Sequence, residues 1–157
     1  MEELWMKIRY YRSDDNIKPL ISEAVENIDP ECYSQEQQKH LEEVIPEMNL
    51  EFAEKDRYSY FVAKQNGKIV GVAGFQKEKG TVAGIFVDSI HQGEGIGREL
   101  MQKIEEKTKE EALDEIKTLA SLEAVDFYNK NGYKVTEEKK QDIEGKDIGI
   151  KVMTKYL

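Results

Sequence analysis

The chain has 157 residues, 35% of them charged, and its 32 acids against 23 bases give a formal charge of −9. That length gives one domain, 1–157, room for a core without staples, and the acid excess disfavours nucleic acid as a partner while suiting a cationic one. A single cysteine, Cys32, rules out an internal disulfide or a cysteine-rich zinc centre, and the two histidines, His40 and His91, are too far apart to suggest a metal pair, so no metal is expected.

At the N-terminus no basic segment leads into an apolar stretch, so a cytoplasmic protein is expected. Met6 to Tyr11 mixes apolar and basic residues and reads as a first strand. Ser13 or Asp14 can cap the helix that follows, in which Ile17, Leu20, Ile21, Ala24, Val25 and Ile28 recur at helical spacing; Asp29-Pro30 ends it. Ser34-Gln35-Glu36-Gln37 has the form of a capping box. It opens a second helix carrying Leu41, Val44 and Ile45, which Pro46 is expected to close, while 47–57 show no clear period. Tyr58 to Lys64 and Lys68 to Gln76 are rich in β-formers, and Asn66-Gly67 between them signals a hairpin. Ile69–Phe75 within that pair is the longest apolar run near the centre and is far too short to cross a bilayer, so no membrane partner is expected.

Thr81 to Val87 is a third strand in the run. After a glycine-rich loop, Ile96, Leu100, Met101 and Ile104 mark an amphipathic helix reaching about Glu110, and Ile116 to Ala120 is a short buried strand. A helix from about Ser121 carries Ala124, Phe127 and Tyr128 on one face and stops at Asn131-Gly132. Two last strands, Tyr133 to Lys139 and Asp147 to Lys155, are joined through Glu144-Gly145. This order predicts an α/β fold: a mixed, mostly antiparallel central sheet with helices on both faces.

The loop Gln92-Gly93-Glu94-Gly95-Ile96-Gly97 packs its glycines between a strand and a helix. Such a unit can turn N–H groups from Gly93 to Arg98 toward one anion, the helix dipole adding roughly 1–2 kcal/mol. Gly95 and Gly97 would let a pyrophosphate approach without meeting a Cβ. The loop is not a P-loop, because no Gly-Lys-Ser/Thr follows. Nor is it a dinucleotide fingerprint, because Leu100 stands where a third small residue is wanted. On these residues alone, a simple turn or helix cap is the alternative.

The same loop resembles the Gln/Arg-x-x-Gly-x-Gly/Ala signature of the GNAT superfamily of N-acetyltransferases, and Ile85-Phe86-Val87-Asp88 resembles the strand that precedes it. Ala124-Val125-Asp126-Phe127-Tyr128-Asn129-Lys130-Asn131-Gly132-Tyr133 resembles the family's A-x-x-F-Y-x-x-x-G-[FY] segment, and Met153-Thr154-Lys155 its final strand. Tyr33-Ser34-Gln35-Glu36-Gln37 is similar to the Y-S-x-E-Q of a subgroup of small bacterial-type members. The resemblance implies acetyl-CoA as cosubstrate, its pyrophosphate held at Gln92, Gly93, Glu94, Gly95, Ile96, Gly97 and Arg98. It also implies a pantetheine arm lying against the backbone of Phe86 and Val87, where their strand splays from Ile116–Ala120, with Ser121 nearby. The Val87 N–H would then polarise the thioester carbonyl, and Tyr128 would contact the cofactor and protonate the departing sulfur. From spacing alone, Tyr128 reads as a core aromatic.

The base is a gap. Many members carry a glutamate on the strand before the loop, but Thr81–Val87 contains no acid and Asp88 lies only at its end. Glu31, Tyr33, Glu36, Glu51 and Glu54 fall in segments that usually form the substrate side, and none is assigned as base. His91 is expected to pack or to touch the cofactor. The expected function is acetyl transfer to a primary amine of a small molecule, by direct attack in a ternary complex, with a cationic acceptor favoured by the acidic charge. A peptide or protein amine is the alternative acceptor, and a non-catalytic acyl-CoA-binding sensor is the alternative class. Family members often pair through their sheets, which leaves a homodimer open.

Overall fold

The computed structural model describes residues 6–157; the first five positions of the expected 1–157 unit lie outside the described residues. The elements follow in the order β1 (Met6–Tyr10), α1 (Lys18–Glu26), α2 (Gln35–Glu54), β2 (Ser59–Gln65), β3 (Lys68–Gln76), β4 (Thr81–Val87), α3 (Ile96–Glu110), β5 (Glu115–Ser121), α4 (Val125–Lys130), β6 (Lys134–Ile143) and β7 (Lys146–Tyr156). They build a seven-stranded sheet in the order β1-β2-β3-β4-β5-β7-β6. Every neighbouring pair is antiparallel except β4 and β5. Two turns hold the hairpins in register. Asn66 and Gly67 both take positive φ (53° and 80°), as do Glu144 and Gly145 (48° and 90°), the backbone of the two-residue turn whose twist matches its flanking strands.

The sheet divides the core in two. In β2, Phe61 and Ala63 face α3, where they meet Leu100, Met101 and Ile104, while Tyr60 and Val62 face α1 and α2, among Ile17, Ile21, Val25 and Leu41. A strand buried on both faces in this way belongs in the middle of a sheet, with helices above and below it. Val72 and Ala73 of β3 repeat the division, each Cβ pointing opposite to the last.

One irregularity shapes the site. Opposite Gly74 and Phe75 of β3, strand β4 shifts register between Gly84 and Val82, so that Ala83 is an extra residue. A bulge bends its strand and increases the local twist. This one begins where the pairing of β4 with β5 ends: only Thr81 with Lys117 and Val82 with Thr118 are partners.

Two expectations at the helices are corrected. Pro46 does not close α2, which runs on to Glu54 with Pro46 inside it. An interior proline costs roughly 3 kcal/mol, but the apolar stripe continues past it through Ile45, Leu50, Phe52 and Ala53, all packed against the α1–α2 core, and that burial outweighs the lost bond. Neither Ser13 nor Asp14 caps α1: its N-cap position is Ile17, with a proline in the first turn and no side-chain cap. Asp15 serves the approach instead, accepting from both Arg9 guanidinium nitrogens (2.8 and 2.9 Å) and from the Arg12 N–H (2.7 Å), which ties the loop back to β1. The capping box at Ser34 and Gln37 forms as read, with both reciprocal bonds at 3.0 Å. Among the described residues, no helix is long and apolar enough to cross a membrane.

Candidate active site

Beyond Val82 and Thr118 the two parallel strands diverge, and the wedge between them opens into a cavity of about 1040 Å³. Residues 81–87 and 117–121 form its two edges. Gln92, Gly97 and Phe127 close one side; residues of α1 and α2 and the turn between β6 and β7 close the other. A second hollow of about 190 Å³, beside Tyr10, Tyr58 and Tyr60, holds none of the motif residues.

Along the β4 edge, backbone groups are left free. The Asp88 N–H donates to the Val70 carbonyl at 3.0 Å. Successive N–H groups of a strand point to opposite sides, so the Val87 N–H points the other way, into the wedge. No strand meets it there, since β5 has already left. Phe86 packs on the α1–α2 side, and its ring lies 3.1 Å from where a Cβ on Gly84 would stand.

The glycine loop follows. Gly93 and Gly95 adopt φ of +85° and +87°, and nothing lies within 4 Å of where their Cβ atoms would be. Among the described residues the N–H groups of Gly93, Gly95, Ile96, Gly97 and Arg98 have no hydrogen-bond partner; the helix's own bonding starts when Glu99 N–H reaches the Gly95 carbonyl. These free donors at the positive end of a fifteen-residue helix, beneath open space, fit a large anion such as a pyrophosphate. The Glu94 N–H drops out of the expected row, because it turns back to the His91 carbonyl at 3.3 Å. Gly97 also differs from expectation. It is buried, and a Cβ there would meet the Phe127 ring at 2.9 Å, so its missing Cβ makes room for α4 rather than for an anion, and only its N–H remains for the anion. Gln92 donates from Nε2 to the Val87 carbonyl at 3.3 Å, linking the loop to the wedge. His91 Nδ1 lies 3.2 Å from Glu94 and outside the cavity lining. Arg98 is exposed.

On the β5 side, Ser121 ends the strand and its Oγ donates to Glu123 at 2.5 Å. A short 3-10 turn, Leu122–Ala124, leads into α4, so the helix expected from Ser121 begins slightly later. Tyr128 sits on α4 with 3% exposure. Its ring meets Phe127 and Tyr133 edge-on, at centroid distances of 5.2 and 5.5 Å, while the residue still lines the cavity. It is therefore both the core aromatic that its spacing suggests and a phenol facing the wedge. Burial pushes that phenol up to about 12; the Thr118 hydroxyl pulls it down and the Glu123 charge adds to the rise.

Of the acids and phenols considered for a base, only Tyr33 reaches the cavity. Its hydroxyl donates to the Gly149 carbonyl and accepts from the Leu122 N–H, both at 2.9 Å, and burial raises it to about 12. It is a strut between β7 and the turn after β5. Glu36 faces Lys146 and Glu51 faces Lys55, while Glu31 and Glu54 lie outside the lining. Asp88 accepts from the Ile90 N–H at 3.2 Å as the cap of a short turn. Two features of the cavity escape a reading of the sequence. The second half of α2, with Met48, Asn49 and Phe52, was hidden by Pro46. Glu123 stands immediately before Ala124, the first residue of the second motif, and its adjacency to a strand end is the available signal.

The acetyltransferase (GNAT) domain model matches residues 29–155. The curated protein YxbD of Bacillus subtilis (strain 168), described as uncharacterized, is 30% identical over 79 residues, and the match spans 48% of this chain and 50% of that one. The fold is similar to that of a GCN5-related N-acetyltransferase from Rhodopseudomonas palustris, with a TM-score of 0.87 and 22% identity over 96% of this chain and 95% of that one. It is also similar to the paiA N-acetyltransferase of Thermoplasma acidophilum, solved in complex with coenzyme A, with a TM-score of 0.73 and 18% identity over 98% and 99% of the two chains.

Proposed function

The chain belongs to the GNAT acetyltransferase family, and from that premise we propose that it transfers an acetyl group from acetyl-CoA to the primary amine of a small molecule by direct attack in a ternary complex. One observation carries this reading. One cavity is lined at once by Gln92 and Gly97 of the glycine loop, by Met48, Asn49 and Phe52 of α2, and by Tyr128.

Each part of the chain has a task in this scheme. The free N–H groups of Gly93, Gly95, Ile96, Gly97 and Arg98 hold the pyrophosphate. The unpaired edges of β4 and β5, with Ser121, hold the pantetheine arm as an added strand would be held. The Val87 N–H faces the thioester oxygen, where a fixed donor in a water-poor cleft stabilises growing negative charge. Tyr128 gives a proton to the departing sulfur: a phenol at about 12 keeps its proton throughout the physiological range and has it available when sulfur gains charge.

The amine enters from the other side. Leu41, Ile45, Met48 and Phe52 make that wall apolar, whereas Asp29, Asp142 and Glu144 stand among the lining residues of the loop after α1 and of the β6–β7 turn. An acceptor with a cationic amine and an apolar body fits this distribution. The test is thiol release from acetyl-CoA with a panel of primary amines, comparing aryl-alkyl amines, polyamines, amino sugars and a lysine peptide. Turnover with the apolar amines supports the reading, preference for the peptide favours a protein acceptor, and no release with any amine contradicts it.

A further inference from the structure

We propose that Glu123 is the general base of the transfer, the role that β4 leaves vacant. This rests on the acetyltransferase reading above. The residues that can take a proton from an incoming amine must line the wedge, and β4 has no acid in Thr81–Val87. Four carboxylates line the cavity: Asp29, Glu123, Asp142 and Glu144. Asp29 accepts from the Glu31 N–H at 2.9 Å and Asp142 from the Gly145 N–H at 2.8 Å, each shaping its own turn, and Glu144 is part of the β6–β7 turn. Glu123 alone sits on the segment joining the splayed end of β5 to Tyr128.

Its placement is held from several directions. Ser121 Oγ donates to Glu123 Oε2 at 2.5 Å, which orients the carboxylate and leaves Oε1 without a hydrogen-bond partner among the described residues. The neighbouring Leu122 N–H is fastened to the buried Tyr33 hydroxyl at 2.9 Å, and Tyr33 is in turn fastened to Gly149. The turn that carries Glu123 is thus braced against α2's leading loop and β7. Glu123 and Tyr128 line the same cavity, and the Glu123 charge adds, behind burial, to the raised values of Tyr128, Tyr33 and Cys32.

The proton accounting closes on these two groups. The ammonium form of the amine gives one proton to Glu123, directly or through a water, and becomes nucleophilic. Nitrogen bonds the carbonyl carbon, whose π electrons move to oxygen at the Val87 N–H. The C–O double bond re-forms, the C–S bond breaks with its pair going to sulfur, and Tyr128 protonates that sulfur. The second nitrogen proton restores the phenol, and Glu123 returns its own to water. The net release is one proton per amide formed.

The test is Glu123→Gln, a replacement of the same shape at an exposed position. Thiol release is followed at saturating acetyl-CoA with phenethylamine, tyramine and spermidine, which enter as ammonium ions, and with hydroxylamine, which is already unprotonated at pH 8. Acetyl-CoA affinity is measured by calorimetry on the same samples, with circular dichroism to verify folding. The expected result is a loss of at least about 100-fold in kcat with the ammonium substrates, a loss within about threefold with hydroxylamine, and unchanged acetyl-CoA affinity. Retained turnover with the ammonium substrates, or equal loss with both kinds of nucleophile, overturns the role. So does a defect confined to acetyl-CoA affinity, which would make Glu123 a cofactor contact. Release by the wild type with none of the nucleophiles overturns the acetyltransferase reading itself, and the base with it.

Discussion

Replacing Tyr128 by Phe removes one oxygen from the centre of the proposed site and leaves nearly everything else. The ring is 3% exposed and packs edge-on against Phe127 and Tyr133, contacts that a phenyl ring keeps. Thr118, whose hydroxyl donates to the Val82 carbonyl at 3.2 Å, is the polar side chain that acts on the phenol, and losing a polar contact of this kind costs at most about 1 kcal/mol. Stability should therefore fall by no more than about 1 kcal/mol in urea unfolding. The chemical effect is larger. Burial holds the phenol at about 12 against 10.0, so ionising it costs about 3 kcal/mol more than in water; the group does not ionise in the resting enzyme and serves only as a donor. General-acid assistance is worth about 10²–10⁴-fold, so kcat for thiol release should drop by that factor while acetyl-CoA affinity stays within about twofold. A folded Tyr128→Phe protein retaining a third or more of the wild-type kcat would refute the assignment.

Two further outcomes follow from the packing and the buried phenols. Gly97→Ala puts a Cβ 2.9 Å from the Phe127 ring; overpacking of this kind costs about 1–3 kcal/mol, set against roughly 1 kcal/mol gained in helix propensity. A net loss of up to about 2 kcal/mol in urea unfolding is expected, and a net gain would show that Phe127 yields freely. Tyr33, Tyr60, Tyr128 and Tyr133 are all raised, first by burial. Because the folded state holds these protons more tightly, their contribution is fully present below pH 10 and is lost as pH rises through the folded values, at about 1.4 kcal/mol per pH unit for each titrating group. Alkaline titration of the unfolding free energy should show this fall beginning near pH 10, and Tyr128→Phe should make it shallower between about pH 10 and 12.

Most of the fold could be read from the sequence, because its signals were local. Asn66-Gly67 and Glu144-Gly145 demand the turns they form, Ser34 and Gln37 cap each other, and the apolar spacing of Ile96, Leu100 and Ile104 needs no long-range information. The misreadings came where tertiary burial overrode a local rule. Pro46 is a helix breaker by propensity, yet the core contacts of Phe52 and Ala53 carry α2 through it. Gly97 belongs to the phosphate-binding pattern, but its missing Cβ makes room for Phe127, thirty positions along the chain. At the site, the motifs located the loop and Tyr128. The wedge itself depends on the bulge at Ala83 and on the parting of β4 from β5, which no spacing announces. Glu123 had a carboxylate's chemistry in plain view, but its bond to Ser121 and its place beside Tyr128 in one cavity lining exist only once the 3-10 turn is formed.

In the proposed function the glycine loop and the wedge hold acetyl-CoA. The most direct measurement is calorimetric titration of acetyl-CoA, with NADH as control, into the wild type and a Gly95→Trp variant whose side chain would fill the open space over the loop. The wild type is expected to bind acetyl-CoA and not NADH, and the folded variant to bind neither. A folded wild type that does not bind acetyl-CoA, or a folded variant that binds it as well as the wild type does, would contradict the proposed function.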